Sequence, residues 1–122
     1  MKLQDLHEKN GIVNSKTDKV VRDALRIVLQ GFSAEYKKNI KITNVDGQEN
    51  LVNVRFPVEG MPAGRITKDG PFDRDHKKAK QTARLLAKEL ESELIKRISV
   101  EDSSVDEDPR GITLFVVSDA FA

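Results

Sequence analysis

The apolar residues of this chain change period twice along its length, and each change narrows what it can fold into. Val21, Ala24, Leu25, Val28 and Phe32 recur at helical spacing. Ile40 and Ile42, then Val52, Val54 and Phe56, alternate. Ala79, Ala83, Leu86, Ala87, Leu90 and Leu94 return to helical spacing, and GITLFVVSD closes the chain with a nearly continuous apolar run. Alternation requires a strand with one covered face, and the helical period requires a helix with one covered stripe, so the two kinds of surface must bury each other. The expected order is helix-strand-strand-helix-strand. This is an α+β fold in which a small antiparallel sheet carries two helices packed on one face.

Punctuation residues set the element ends. Ser15 can cap the first helix, Asp18 sits near the positive end of its dipole, and Gly31 can close it. Asp46 and Gly47 mark a hairpin turn, and Pro57 belongs at a strand end or on an edge. The stretch GMPAGRITKDGPF, residues 60–72, reads as a loop with a short strand around Ile66. The long second helix is expected from about Asp73 to Ile98, with Asp73 or Asp75 as its cap. Residues 100–110, centred on EDSSVDEDPR, read as an acidic linker before a last strand whose apolar run implies cover on both faces. Residues 1–14 read as a flexible N-terminal arm and residues 15–122 as a single α+β domain.

Composition bounds the function classes. A chain of 122 residues is long enough to bury its own core, and 38% hydrophobic with 34% charged residues suits a globular domain with a charged skin rather than disorder or a membrane span. With no cysteine, disulfide frameworks, thiolate zinc sites and cysteine nucleophiles are excluded, and a reducing compartment fits. The charged start MKLQDLHEKNG has no signal-peptide core, so the expectation is a soluble, cytoplasmic protein with no membrane partner.

Chemistry-bearing patterns are sparse. His7 lies in the arm and His76 in a run of lysines, neither beside a group that would activate it. Asp106, Glu107 and Asp108 are the densest carboxylates, yet they lack the ligand spacing of a calcium loop, and Gly60, Gly64 and Gly70 match no phosphate-binding fingerprint. No catalytic residue, metal, cofactor or small-molecule substrate is expected, and the chain reads as a binder rather than an enzyme.

Charge is sorted along the chain. Residues 1–99 hold 20 Lys and Arg against 14 Asp and Glu, a net of +6, while residues 100–122 hold one against six, a net of −5. Lys77, Lys78 and Lys80 cluster in the first turns of the long helix, where they oppose its dipole unless an anion offsets them. Lys77, Lys80, Arg84 and Lys88 fall in one row expected roughly opposite the apolar arc, and Lys19, Arg22 and Arg26 form a similar row on the first helix. Side by side, the rows would merge into a face for nucleic-acid phosphates, RNA or DNA, over which the acidic residues 101–108 could fold and compete.

A helix, then strands, then a helix opening with clustered lysines resembles the double-stranded RNA-binding domain over about residues 16–95. The resemblance implies phosphate contacts from Lys77 and Lys78, and less securely Lys80, in a mode that reads duplex shape. The chain departs from that family in its lysine spacing, in the turn NVDGQEN and in its extra final strand.

The alternative expectation is a homo-oligomeric or partner-binding assembly protein, of phage-type structural or inhibitor character, acting through protein contacts. Leu85, Ile95 and Ile98 lie off the apolar arc of the long helix, and Phe121 lies in the tail DAFA. These four would form the interface unless they complete the domain's own core.

Overall fold

The computed structural model describes residues 15–32, 34–45, 47–59 and 76–122. Outside them lie the expected arm with His7, Asp46 of the hairpin turn, the loop at 60–72 with Ile66, and the caps Asp73 and Asp75. The elements in chain order are α1 (Ser15–Val28), α2 (Ala34–Asn39), β1 (Lys41–Val45), β2 (Gln48–Pro57), α3 (His76–Arg97), β3 (Asp102–Asp108), β4 (Gly111–Val117) and a 3-10 turn (Asp119–Phe121). The four strands form one antiparallel sheet in the order β1-β2-β4-β3. The α+β class and the antiparallel sheet are as the periodicity requires. Among the described residues, no helix is long and apolar enough to cross a membrane.

Alternation decides which face closes. Ile42 of β1, Val52, Val54 and Phe56 of β2, and Ile112, Leu114 and Val116 of β4 are buried and face the helices. From α3, the six residues of the apolar arc, Ala79, Ala83, Leu86, Ala87, Leu90 and Leu94, are all buried against them. The alanines keep one side of the helix thin so that it can lie close, while each buried leucine contributes roughly 1.5–3 kcal/mol of apolar burial. Val21, Ala24, Leu25 and Val28 of α1 complete the layer beside α3.

Polar ties fix the ends. The buried Thr17 hydroxyl donates to the Phe121 carbonyl at 3.3 Å and accepts from Asn44 Nδ2 at 3.4 Å, holding the start of α1 to β1 and to the last turn. Gly31, at φ 89°, turns the chain out of α1 in a conformation that favours glycine. The Tyr36 phenol of α2 donates to the Pro57 carbonyl at 3.0 Å, and burial raises its pKa.

Four expectations are corrected. Residues 102–108 are not a linker but the edge strand β3, with Ser103, Val105 and Glu107 turned towards α3. The order therefore gains a fourth strand, together with the short helix α2. Strand β4 is central but not covered equally on both sides, since Thr113, Phe115 and Val117 are only half-buried on the face away from the helices. Ile98 packs against the core and Phe121 is fully buried within it, because the 3-10 turn folds the tail back beneath α1. The double-stranded RNA-binding likeness stops at the helix-hairpin-helix portion, since β3 and β4 follow the long helix and β4 pairs with β2.

The β3–β4 turn explains how so acidic a segment becomes a strand. Asp108 Oδ1 accepts from the backbone N–H groups of Arg110 at 2.8 Å and Gly111 at 3.1 Å, closing the reversal at Pro109. Gly111 is required where β2 passes, because a Cβ there would lie 2.7 Å from the Phe56 carbonyl oxygen.

Candidate functional site

The expected basic rows occupy two separate places and are largely neutralised. On α1, Arg22 bonds Asp18 at 2.7 Å, Lys19 lies 3.9 Å from Asp23, and Arg26 lies 3.5 Å from the same carboxylate. On α3, Lys80 approaches Glu107 Oε2 at 3.4 Å, and Arg84 bonds the other oxygen of Glu107. Ser103 likewise bonds Glu91. The row is thus on the flank of α3, zipped to the β3 edge, rather than opposite the apolar arc. Helix α1, tied through Thr17 to β1, lies towards the other edge, so the two rows do not merge. Lys78 and Lys88 are exposed on α3, while Lys77 lies within the helix with its side chain outside the description.

Glu107 pairs with two cations of the basic helix as a member of the sheet. It is no detachable flap, and removing residues 101–108 would remove a strand. The carboxylates of Asp106 and Asp108 leave the opposite face of β3 from Glu107, so the three do not converge on a cation. Among the described residues, no cluster of three or more potential ligands is placed to hold a metal ion.

Most cations without an ion pair lie away from the two helix rows. Among the described residues, Lys16, Lys37, Lys38, Lys41, Lys88 and Arg110 make none, Lys16 donating instead to the Ala122 carbonyl at 2.9 Å. Lys41 and Arg110 line a cleft of about 760 Å³ with Asn39, Arg55, Pro57 and Glu59. Arg55 is committed within the fold: its guanidinium holds both oxygens of Asp108, at 2.7 and 2.9 Å, and donates to the Thr113 hydroxyl at 2.9 Å. The Arg55 hydrogen bond, with the two backbone N–H donors, holds the Asp108 carboxyl well below the usual carboxylate range.

Comparison with known protein families, with curated proteins and with solved structures finds no match.

The face of the sheet turned away from the helices carries the most unusual chemistry. Leu51, Phe115 and Val117 form a half-buried apolar strip across β2 and β4, bordering a groove of about 320 Å³ that Asp102, Ser104 and Asp106 close on the β3 side. Beside Phe115 in the register lies Asn53, whose Oδ1 is buried and accepts no hydrogen bond. An orphaned acceptor costs about 1–3 kcal/mol, and this one is covered by the chain's own atoms, so it is a local cost of the fold rather than a contact point. Of the expected interface residues, Leu85 and Ile95 are 53% and 56% exposed on the outer side of α3, and Ile27 of α1, not singled out by the sequence, is 45% exposed. They are single apolar residues among charged ones, which is ordinary for a surface.

Proposed function

We propose that this protein is a non-catalytic binding domain that works through protein–protein contacts made by the helix-free face of its sheet. The half-buried Leu51–Phe115–Val117 strip, on the face of the sheet turned away from the helices, carries the reading. A protein surface supplies an apolar complement, whereas a phosphate backbone offers mainly acceptors and negative charge, and Asp102 and Asp106 on the same face repel it. The test is site-specific photo-crosslinking in the cell of origin. A crosslinker at position 115 is expected to trap one defined protein species, with far less from position 85. Capture from position 85 alone would sink the reading.

A second reading, an anionic partner such as a nucleic-acid backbone, is favoured by the unpaired cations Lys37, Lys38, Lys41 and Arg110 rather than by the helix rows. If it holds, affinity for duplex or single-stranded nucleic acid falls by orders of magnitude between about 50 and 200 mM salt. It falls again when Lys37, Lys38 and Arg110 become alanine, and much less when Lys78 and Lys88 do. Equal affinity in the first variant removes this reading.

A further inference from the structure

The outer face is self-complementary under a twofold rotation. Antiparallel register places its side chains in rows across the four strands. One row runs Lys41–Arg55–Thr113–Asp106, the next Thr43–Asn53–Phe115–Ser104, and the third Leu51–Val117–Asp102. The strand order puts β2 and β4 in the centre with β1 and β3 outside, so Lys41 stands on one edge and Asp102 and Asp106 on the other.

A second copy turned over about an axis parallel to the strands, midway between β2 and β4, lays each row on its own reverse. Lys41 of one copy then stands over Asp106 of the other, twice. Leu51 stands over Val117, burying apolar on apolar. Asn53 stands over Phe115, twice. Sheets packed face to face keep their strands nearly aligned, as this operation requires.

We infer that the partner of this face is a second copy of the same chain, in an isologous dimer held by reciprocal Lys41–Asp106 pairs around an axis between β2 and β4. The inference rests on the reading above and names its occupant. Four strands at about 4.8 Å spacing and about seven residues long give a footprint of roughly 400 Å² per copy, about half of a standard interface. The dimer is accordingly weak and reversible, with a dissociation constant in the micromolar range or above.

Sedimentation velocity across a concentration series, from about 5 to about 500 µM, tests this on the full chain. The weight-average mass is expected to rise from 13.7 kDa towards twice that value. Lys41→Asp alone and Asp106→Lys alone each weaken association about tenfold or more, because each sets like charges opposite. An equimolar mixture of these two variants recovers association, since only the heterodimer pairs opposite charges at both contacts. Circular dichroism of each variant establishes that it is folded. A wild-type chain that stays monomeric throughout, or variants that associate as well as the wild type, overturns the dimer. If the chain is monomeric while position 115 still crosslinks to a different protein, the dimer alone fails. If position 115 captures nothing as well, the reading of the face fails with it.

Discussion

The two faces of this sheet are built from the same strands and solve opposite problems. Towards the helices, Val52, Val54, Phe56, Ile112, Leu114 and Val116 are shut away by α1 and α3. Away from the helices, the residues that alternate with them stay half-exposed, leave Asn53 unsatisfied and sort their charge to opposite edges. The inner face is saturated with contacts and has nothing left to offer a partner. The outer face is stable enough to exist and incomplete enough to be used.

If the faces differ in this way, substitutions on them must differ too. Leu90→Ala, inside the closed layer, is expected to cost about 2–5 kcal/mol in urea unfolding, whereas Val117→Ala on the open face costs the monomer about 1 kcal/mol or less. Comparable losses would show that the outer face is as closed as the inner. Gly111→Ala, where the strands approach most tightly, is expected to lose about 1–3 kcal/mol, because the new methyl group meets the Phe56 carbonyl and the backbone must shift. A calorimetric melting temperature equal to the wild type would contradict that crowding. Asp108→Asn acts through pH: the unfolded carboxyl titrates near about 4 and the folded one well below it, so the stabilisation is complete above about pH 4 and is lost as pH falls. The variant should therefore show a shallower decline in stability between about pH 4 and 2, measured by denaturant midpoints. Smallest of all, Glu107→Gln, which unpairs the partly exposed Lys80 and Arg84, should change stability by less than about 1 kcal/mol.

Much of the inner face was legible from spacing alone. The six-residue arc of α3 and the alternation of β2 are the core as observed, because their periods are set by burial on one side. Strand β3 was not legible. Its only large apolar residue is Val105, and an edge strand of aspartates is held by β4 and by the Asp108 turn rather than by its own propensity. Helix α2 was missed because six residues carry too little period, although Tyr36 four positions after Phe32 was a signal, and the two rings meet in a tilted pair with centroids 5.9 Å apart. Lys80 looked costly near a helix start because its acceptor, Glu107, lies 27 residues away in sequence and beside it in space. The outer-face candidates Leu51, Asn53, Phe115 and Val117 were overlooked because alternation draws attention to the covered residues, and the nearly continuous apolar run of β4 does not separate its two faces.

The order β1-β2-β4-β3 also has a kinetic consequence. Each outer pair is a local hairpin, but the central seam from Leu51–Val117 to Pro57–Gly111 joins residues between 54 and 66 positions apart. Closing so long a loop is entropically expensive until α3 supplies an apolar surface for both hairpins to land on. The two hairpins therefore zip early and independently, and the molecule commits to its native state only when the middle of its sheet is joined.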